Sequence, residues 1–386
     1  MVKKIIVIAL ACVMLATVFA GCQATPAASS APASSAAAPA SSAAAPASSE
    51  AASAAPATAD TLVGVSMPTK SLQRWNQDGD NMKAQLEKAG YQVDLEYAGD
   101  NDVATQVKQL ENMITKGAKV LVIAAIDGDA LKTVLDSAKQ AKIVVFAYDR
   151  LIKGADYYAT FDNYKVGVLQ AQYVIKAMDL DNAKGPIATE VFGGSPDDNN
   201  AFKFNAGEMD TLKPYFDKGT LVVTSKQTAM DVIAIKAWTA STAQARMDNL
   251  LTAFYADKPV QLVISPNDSL AQGIVASLKA AGYSTEAGAK KPWPVITGQD
   301  CDKMNVSFLI AGTQTMSIFK DTRTLAAQTV KMVGQVLTGA KVDVNNTTDY
   351  EGVPSFLCDP VAVDKTNYKE MLFDSGYYKE SDIPKS

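Results

Sequence analysis

From Asp60 onward, short apolar segments alternate with segments in which apolar residues recur every three to four positions. The first kind is typical of strands and the second of amphipathic helices. The segments VLVIAA and IVVFAY are apolar at successive positions, as strands buried on both faces of a parallel sheet must be. The pattern predicts strands at 62–67, 92–97, 119–125, 142–148, 157–161, 186–192, 220–225, 260–265 and 294–297.

Helical periodicity occupies the intervals between these strands, for example at 73–89 and at 103–116, where Gly117 ends the helix. Alternating strands and helices predict an α/β fold, with a parallel sheet covered by helices on both faces. About 325 residues are too many for one ordinary core and suit two domains. Since one series of strands follows another, we expect two similar doubly wound lobes.

The first 59 residues have a different pattern. Lys3 and Lys4 precede the apolar run IIVIALACVMLATVFA, which small residues and Cys22 follow. A basic start, a short apolar run and a small-residue cut site predict a secretory signal over 1–21, too short to be a membrane span. The ending FAGC resembles the bacterial lipobox, which implies that Cys22 is lipidated and anchors the chain to the membrane. The alternative is an ordinary secreted protein, and both interpretations place the body of the protein outside the cytoplasmic membrane.

After Cys22 the chain has the composition of a tether. Residues 23–59 contain only Ala, Pro, Ser and Thr besides a single Gln and a single Glu. Such a stretch has no large apolar side chains to bury, so it cannot offset the entropy of ordering. We therefore expect residues 22–59, the lipidated cysteine included, to form a disordered connection without a fold of its own.

Composition narrows the class of function. The chain contains no histidine, and its formal net charge is −5. Without histidine, the usual general base, the Ser-His and Cys-His nucleophiles and most catalytic zinc sites are excluded. A mildly acidic chain without a basic run also argues against nucleic acid as a partner. We expect a binding protein that is not an enzyme and that carries neither a metal nor a cofactor.

Two of the four cysteines, Cys301 and Cys358, lie in the body of the protein. The expected compartment permits oxidation, so a disulfide between them is one interpretation. The other interpretation is a pair of unpaired small core residues, and the sequence alone does not test the geometry that a bridge requires.

Polar residues follow several predicted strands, and ligands of open α/β sheets bind beyond the carboxyl ends of the strands. The pair Asp149 and Arg150 ends a core strand. Its carboxylate can accept hydrogen bonds from hydroxyls and its guanidinium can donate them, so the pair suits a polyol. Trp238 either stacks on the apolar face of a sugar ring or packs in the core. These clusters predict a cleft between the lobes that closes on a small polar molecule.

The loop FGGSPDDNN follows a predicted strand but lacks the spacing of a phosphate-binding loop. We interpret its glycines as turn residues that let Asp198, Asn199 and Asn200 enter the cleft. The acidic residues at other strand ends have an alternative role as helix caps. That role is open for Asp127, Asp129 and Asp197.

Several motifs taken together resemble the monosaccharide-binding receptors of bacterial ABC importers, in the multiple-sugar and xylose-type branch of the type I periplasmic-binding fold. The motifs are VSMPTKSLQRW, AAIDGDAL, FAYDRLI, YYATFDNYKVGVLQ, FGGSPDDNNA, TAQARMDNLL, ISPND, TGQD and IFKDTRTLA. The resemblance covers residues 62–368. It implies a monomer that captures a monosaccharide of the xylose, arabinose, glucose or galactose class between its lobes and delivers it to an importer permease.

The resemblance also implies the sugar-binding residues and the division into lobes. It departs from the family at Cys301, where small residues are usual. Crossovers between lobes are implied near Asp162, near Gln314 and at 357–360. The N-terminal lobe then comprises 60–162 and 315–357, and the C-terminal lobe 163–314 and 358–386. The implied sugar contacts are Lys70, Arg74, Asp149, Arg150, Asn199, Asn200, Trp238, Asn267, Asp300 and Lys320.

Three other functions agree with parts of the pattern. A sugar-sensing transcription regulator shares the two-lobed core but needs a DNA-binding element where this chain has the signal and tether. A glycosidase needs two separated carboxylates, and the adjacent Asp197 and Asp198 are an implausible pair. A receptor that signals to a membrane kinase or chemoreceptor would bind and close in the same way, and it stays as the alternative to the importer.

Overall fold

The computed structural model describes residues 60–385. The predicted signal at 1–21, the predicted lipid site Cys22 and the predicted tether at 22–59 lie outside these residues. Between residues 60 and 385, no helix is both long enough and apolar enough to cross a membrane. The expectations for the N-terminal segment therefore stay predictions.

Strands and helices alternate along the described chain. In chain order the elements are β1 (Leu62–Met67), α1 (Gln73–Lys88), β2 (Gln92–Tyr97), α2 (Val103–Thr115), β3 (Val120–Ile123), α3 (Lys132–Gln140), β4 (Val144–Tyr148), β5 (Tyr157–Phe161), α4 (Asn163–Ala177), β6 (Ile187–Val191), α5 (Asn199–Asp217), β7 (Leu221–Val223), α6 (Met230–Ile233), α7 (Ala240–Phe254), β8 (Leu262–Ile264), α8 (Asp268–Ala280), β9 (Val295–Ile296), α9 (Lys303–Ala311), β10 (Met316–Phe319), α10 (Thr322–Thr338), β11 (Ser355–Cys358) and β12 (Val361–Asp364).

The first sheet contains six parallel strands in the order β11-β5-β4-β3-β1-β2. Its strand β3 is buried at all four positions. Val120 and Val122 belong to one apolar core, while Leu121 and Ile123 belong to another. Because side chains of a strand alternate between faces, these two cores cover the two faces of the sheet. Helices α1 and α10 contribute to the first core and α2 and α3 to the second.

The second sheet contains four parallel strands in the order β7-β6-β8-β9, and β10 pairs antiparallel with β12 beside it. A bridge between Gln299 and Ile318 joins β10 to the chain just beyond β9. Helix α4 packs on α5, and α7 packs on α8. Two further apolar cores lie between these helices and the strands. The predicted α/β fold, with two parallel-sheet lobes, is confirmed.

The chain passes between the two sheets three times. It leaves the first sheet after β5, where Asp162 caps α4 by accepting a hydrogen bond from the Lys165 amide at 2.9 Å. It returns between β10 and α10, and it leaves again between β11 and β12. The predicted middle crossover lies near Gln314. Strand β10, which follows directly, pairs with β12 and is bridged to Gln299, so the chain leaves the second sheet between β10 and α10.

Both body cysteines are free thiols, so the disulfide interpretation is not supported. Cys301 is buried in a small cluster with Val306 and with Leu372 of the C-terminal segment. Cys358 is buried in the core between the first sheet and α10. The two thiols belong to different apolar clusters. The alternative interpretation, two unpaired core residues, is the one that the structure shows.

Candidate functional site

A cavity of about 400 Å³, part of it open to solvent, lies at the carboxyl ends of strands from both sheets. This is the position at which open α/β sheets bind ligands. The surrounding loops come from β1, β4, β6, β8, β9 and β10. The lining residues are Leu72, Arg74, Trp75, Asp149, Arg150, Asp198, Asn200, Phe204, Trp238, Asn267, Ser269, Gln299, Asp300, Asp302 and Lys320.

Arg74, in the first turn of α1, lies among three carboxylates. Its guanidinium is 2.8 Å from Asp78, 2.9 Å from Asp149 and 3.5 Å from Asp300. Burial lowers the pKa of Arg74, but these carboxylates outweigh burial and hold the pKa above its usual value. The arginine is therefore a fixed cation at the centre of the cavity wall, and the Asp300 contact joins the first lobe to the second.

Asp149 and Arg150 follow β4 and point their charges in different directions. Asp149 has a φ of 60°, a left-handed conformation that turns the chain sharply after the strand. Burial raises the pKa of Asp149, but Arg74, Lys320 and Arg150 together bring it below its usual value. Arg150 donates to the Ala125 carbonyl at 3.0 Å and lies 3.2 Å from Asp198 of the second lobe. The pair therefore forms ionic contacts with both walls of the cavity.

Trp238 both lines the cavity and belongs to a core, so its two predicted roles coexist. Its indole N–H donates to Asp198 at 3.2 Å, and its ring meets the Phe204 ring edge to face at 6.3 Å. A Cβ at Gly194 would lie 2.0 Å from the indole ring. Only glycine leaves room for the ring here, which is the reason for one of the glycines in the FGGS loop.

The crossover after β10 adds a cation to the cavity, and the second lobe adds a carboxylate that faces the first lobe. Lys320, directly after β10, lies 3.1 Å from Asp300 and 3.9 Å from Asp149. Asp300 has a φ of 96° and the next residue, Cys301, a φ of 52°. Left-handed conformations at two successive non-glycine residues store strain, which is characteristic of functional sites. The strained turn directs the Asp300 carboxylate toward Lys320 and Arg74.

Two acceptors of the cavity lining have no described protein partner. The Oδ1 atom of Asp302 and the Oε1 atom of Gln299 are buried and accept no hydrogen bond within residues 60–385. Burial, and next the charge of Asp300, raise the pKa of Asp302 to about 7, although Arg74 and Lys320 oppose them. A buried acceptor without a donor is unfavourable by about 1–3 kcal/mol. A ligand that offers hydroxyl donors removes that penalty.

The structure brings eight of the ten predicted contacts together, and two lie elsewhere. Lys70 is exposed, with its ammonium group 4.8 Å from the centre of the Tyr97 ring. Asn199 is the exposed first residue of α5. Asn200 lines the cavity but donates to the Asp149 carbonyl at 2.8 Å, so it also joins the two lobes. The predicted contacts that line the cavity are Arg74, Asp149, Arg150, Asn200, Trp238, Asn267, Asp300 and Lys320.

Sequence reasoning missed several lining residues and left the roles of some acidic residues open. Asp127 accepts a hydrogen bond from the Asp129 amide at 3.0 Å, at the start of a short helical turn whose N-cap residue is Gly128. Asp197 accepts from the Ser195 hydroxyl at 2.5 Å. Asp198 enters the cleft as expected from the glycine loop. The missed lining residues are Leu72, Trp75, Phe204, Ser269, Gln299 and Asp302.

The stability of the ligand-free protein is expected to fall as the pH rises from about 4 to about 7. Burial is the largest cause that raises the pKa of Asp302 to about 7 and the pKa of Asp78 to about 6. Over this range the unfolded chain loses protons that these two groups keep in the folded state. Each increase in pH therefore favours unfolding until the folded groups also ionise. Melting temperatures at several pH values measure the direction and the range.

Asp302→Asn removes one of these groups, so its melting temperature should decline less than that of the wild type over the same range. Asp359→Asn is the matched control, since the Asp359 side chain is 82% exposed. A wild-type melting temperature that climbs steadily between pH 4 and pH 7 contradicts the prediction.

Residues 63–341 match the family described as periplasmic binding protein domain. The match contains all the strand-end loops that line the cavity. It ends within the segment that follows α10, so β11, β12 and the C-terminal turns lie beyond it. The cavity as a whole therefore belongs to the part of the chain that the family shares.

Two characterised relatives are similar over most of the chain. The chain is 53% identical over 328 residues to the multiple sugar-binding periplasmic receptor ChvE of Rhizobium radiobacter. The matched region covers 83% of this chain and 92% of that protein. The chain is 35% identical over 325 residues to the D-xylose-binding periplasmic protein of Escherichia coli, again over 83% and 92%.

A solved structure is similar in both sequence and fold. It is an ABC transporter solute-binding protein from Clostridium phytofermentans with bound β-D-glucose, 52% identical to this chain. The two superpose with a TM-score of 0.80 over 84% of this chain and 100% of that one. The similarity therefore extends over both lobes.

Proposed function

The chain belongs to the family of periplasmic binding protein domains, and on that premise we propose that it captures a monosaccharide in the cavity between its lobes. The observation that carries the proposal is the set of charged side chains from both lobes that meet in one buried cavity. Arg74, Asp149 and Arg150 come from the first lobe, and Asp198 and Asp300 come from the second. Like its relatives, which are named as a multiple sugar-binding receptor and a D-xylose-binding protein, the protein binds its ligand without making or breaking a bond.

The balance of charge in the cavity favours a neutral ligand. Three cations face four carboxylates, and one of those carboxylates is Asp302, whose pKa is raised to about 7 by burial. Within residues 60–385, the only partners of Asp149 Oδ2 and Asp300 Oδ1 are the cations that form ion pairs with them. Hydroxyl groups can donate to such carboxylates and accept from the cations, in charge-assisted hydrogen bonds. A polyol therefore suits the cavity better than an anion or a cation does.

Aromatic rings supply the apolar surface that a sugar ring also needs. Trp75, Phe204 and Trp238 line the same cavity as the charged groups. The C–H face of a pyranose can pack on such rings, while its hydroxyls meet the polar groups around the edge. The combination of ring faces and bidentate polar groups favours a monosaccharide of the xylose, arabinose, glucose or galactose class.

Contacts between the lobes suggest how binding is communicated. The Arg150–Asp198 and Arg74–Asp300 ion pairs, at 3.2 Å and 3.5 Å, both cross from one lobe to the other. A sugar that hydrogen bonds to both sides adds to these contacts and shifts the population toward the closed form. The closed form presents a composite surface made by both lobes, which an importer permease can distinguish from the open form.

The proposal also covers where the receptor works and where its sugar goes. We propose that the receptor works outside the cytoplasmic membrane as a monomer, anchored through lipidated Cys22, and that it delivers its sugar to the permease of an ABC importer. Its relatives, a sugar-binding periplasmic receptor, a D-xylose-binding periplasmic protein and an ABC transporter solute-binding protein, support this assignment. The lipobox-like sequence before Cys22 supports the anchor.

A thermal-shift screen against xylose, arabinose, ribose, glucose, galactose and fructose tests the proposal. A sugar that binds only the folded state raises the melting temperature, and a hundredfold excess over its dissociation constant contributes about 2.7 kcal/mol. A clear shift with one or a few of these sugars is the expected result. If none of the six changes the melting temperature of a folded preparation shown by mass spectrometry to carry no sugar, the monosaccharide assignment is wrong.

A further inference from the structure

The C-terminal segment packs behind the cavity, beyond the region that matches the family. It contains a short π-helical turn, Lys369–Asp374, followed by Tyr377 and Tyr378. Tyr378 is only 4% exposed and packs in a small core with Cys301. A hydroxyl buried at this depth needs hydrogen-bond partners, and its partners identify what the segment holds.

The Tyr378 hydroxyl joins the two lobes. It accepts hydrogen bonds from the side-chain amides of Gln73 and Gln77, at 2.8 Å and 3.1 Å, and both glutamines belong to α1 of the first lobe. It donates to the backbone carbonyl of Cys301 in the second lobe, at 3.0 Å. Gln73 also accepts from the Lys303 amide at 3.0 Å, so the same region of α1 contacts the second lobe twice.

The partner in the second lobe is the strained turn that carries Asp300. Cys301, whose carbonyl accepts from Tyr378, has a φ of 52°, and Asp300 before it has a φ of 96°. Such conformations persist only where surrounding contacts hold them. Asp300 also donates its amide to the Ile318 carbonyl at 2.8 Å, and the Cys301 amide donates to Ser317 at 3.1 Å. The Tyr378 hydroxyl adds a third hydrogen bond to this turn, and it is the one that also connects the turn to α1 of the first lobe.

The neighbouring Tyr377 packs close to a second charged residue of the cavity, Lys320. Its ring packs edge to face on Phe319, with ring centres 4.7 Å apart, and Phe319 precedes Lys320 of the cavity. The C-terminal aromatic pair therefore lies directly behind both the Asp300 turn and Lys320. Neither tyrosine lines the cavity, so neither is placed to touch the ligand.

We propose that Tyr378 is a positioning residue for the ligand site: its hydroxyl holds the Asp300–Cys301 turn in place and links it to α1, which carries Arg74. The inference rests on the proposed sugar-binding function and adds a device that acts through Asp300. In this structure the link spans both lobes, and its contact with the Cys301 carbonyl lies within the second lobe. Loss of the hydroxyl therefore weakens the closed, ligand-holding form and speeds dissociation of the sugar.

The test is Tyr378→Phe in the full-length protein, with D-glucose and D-xylose as the probes. The variant keeps the buried ring and loses the hydrogen bonds, so we expect roughly threefold to tenfold weaker affinity by calorimetry. Stopped-flow measurement of tryptophan fluorescence, reported by Trp75 and Trp238, should show the loss as faster dissociation. Tyr368→Phe is the control: it removes a hydroxyl from the same segment, and the Tyr368 ring packs on Phe373, away from the cavity.

Hydrogen exchange of the ligand-free protein separates this inference from the proposed function. Peptides that contain Asp300 and Cys301 should exchange faster in Tyr378→Phe than in the wild type and in Tyr368→Phe. If the wild type binds none of the six sugars of the thermal-shift screen, the proposed function fails, and unchanged exchange in Tyr378→Phe then overturns the positioning role as well. If the wild type binds and Tyr378→Phe shows the same affinity, dissociation rate and exchange, the positioning role is overturned while the function stands.

Discussion

Replacing Arg74 by methionine is expected to abolish measurable sugar binding and to destabilise the fold. Methionine fills a similar length but leaves Asp78, Asp149 and Asp300 without the cation that lies 2.8 Å, 2.9 Å and 3.5 Å from them. Removing one partner of a buried ion pair lowers the free energy of unfolding by about 3–5 kcal/mol. Methionine also cannot replace the charge-assisted hydrogen bonds that the guanidinium is expected to donate to sugar hydroxyls. Loss of two such bonds weakens affinity about a hundredfold or more. Denaturant unfolding and calorimetry measure the two effects separately.

Two further variants make the Arg74 result interpretable. Lys213→Met removes an exposed cation that pairs with Asp217 on α5, and it should change neither affinity nor stability appreciably. Arg74→Lys keeps the charge but loses the planar fork that reaches several carboxylates at once, so an intermediate affinity is expected. An Arg74→Met protein that still binds sugar within twofold of the wild type would remove the arginine from the site.

The strands of the first sheet that are buried on both faces could be predicted from the sequence. Predicted strands at 62–67 and 157–161 coincide with β1 and β5, and the predicted strand at 92–97 coincides with β2, an edge strand that is only partly buried. In β3 the predicted range 119–125 is wider than the observed Val120–Ile123, because the apolar run continues into the loop beneath the cavity. Burial on both faces produces an unbroken apolar run, which is the strongest strand signal that one sequence offers.

The part of the fold that the sequence did not predict depends on pairing between distant segments. Strand β10 pairs with β12, which lies close to the C-terminus, and no local pattern specifies that partner. The predicted crossover near Gln314 lies just before β10, whereas the chain leaves the second sheet just after β10. Tertiary contacts of this kind decide strand membership where a strand is only four residues long.

The site was predicted where charge and strand ends coincide, and it was missed where apolar side chains or strained turns contribute. Trp75 and Phe204 occupy helical positions that read as core, and they are core residues that also line the cavity. Asp302 reaches the cavity because Asp300 and Cys301 adopt left-handed conformations. Positive φ is uncommon for residues other than glycine, and no local pattern marks these two positions as adopting it.

Replacing Asp300 by asparagine is expected to weaken sugar binding by about 2 kcal/mol, roughly thirtyfold. Asparagine keeps the shape of the side chain and tolerates the left-handed backbone, here at a φ of 96°. It removes the charge that lies 3.1 Å from Lys320 and 3.5 Å from Arg74, so a sugar hydroxyl loses its strongest acceptor on this wall. Calorimetry with the sugar identified in the thermal-shift screen measures the loss.

The control for Asp300 is a carboxylate of the same type without a place in the cavity. Asp359 pairs with Lys165 at the surface, and Asp359→Asn should bind sugar like the wild type. Comparison of the two variants separates the local loss of an acceptor from the general loss of one negative charge. Equal affinities for Asp300→Asn, Asp359→Asn and the wild type would show that Asp300 makes no contact with the ligand. In that case the ion pairs with Lys320 and Arg74 serve only to hold the lobes together, and ligand recognition on this wall passes to Gln299 and Asp302, whose buried oxygens accept no other hydrogen bond within the described chain.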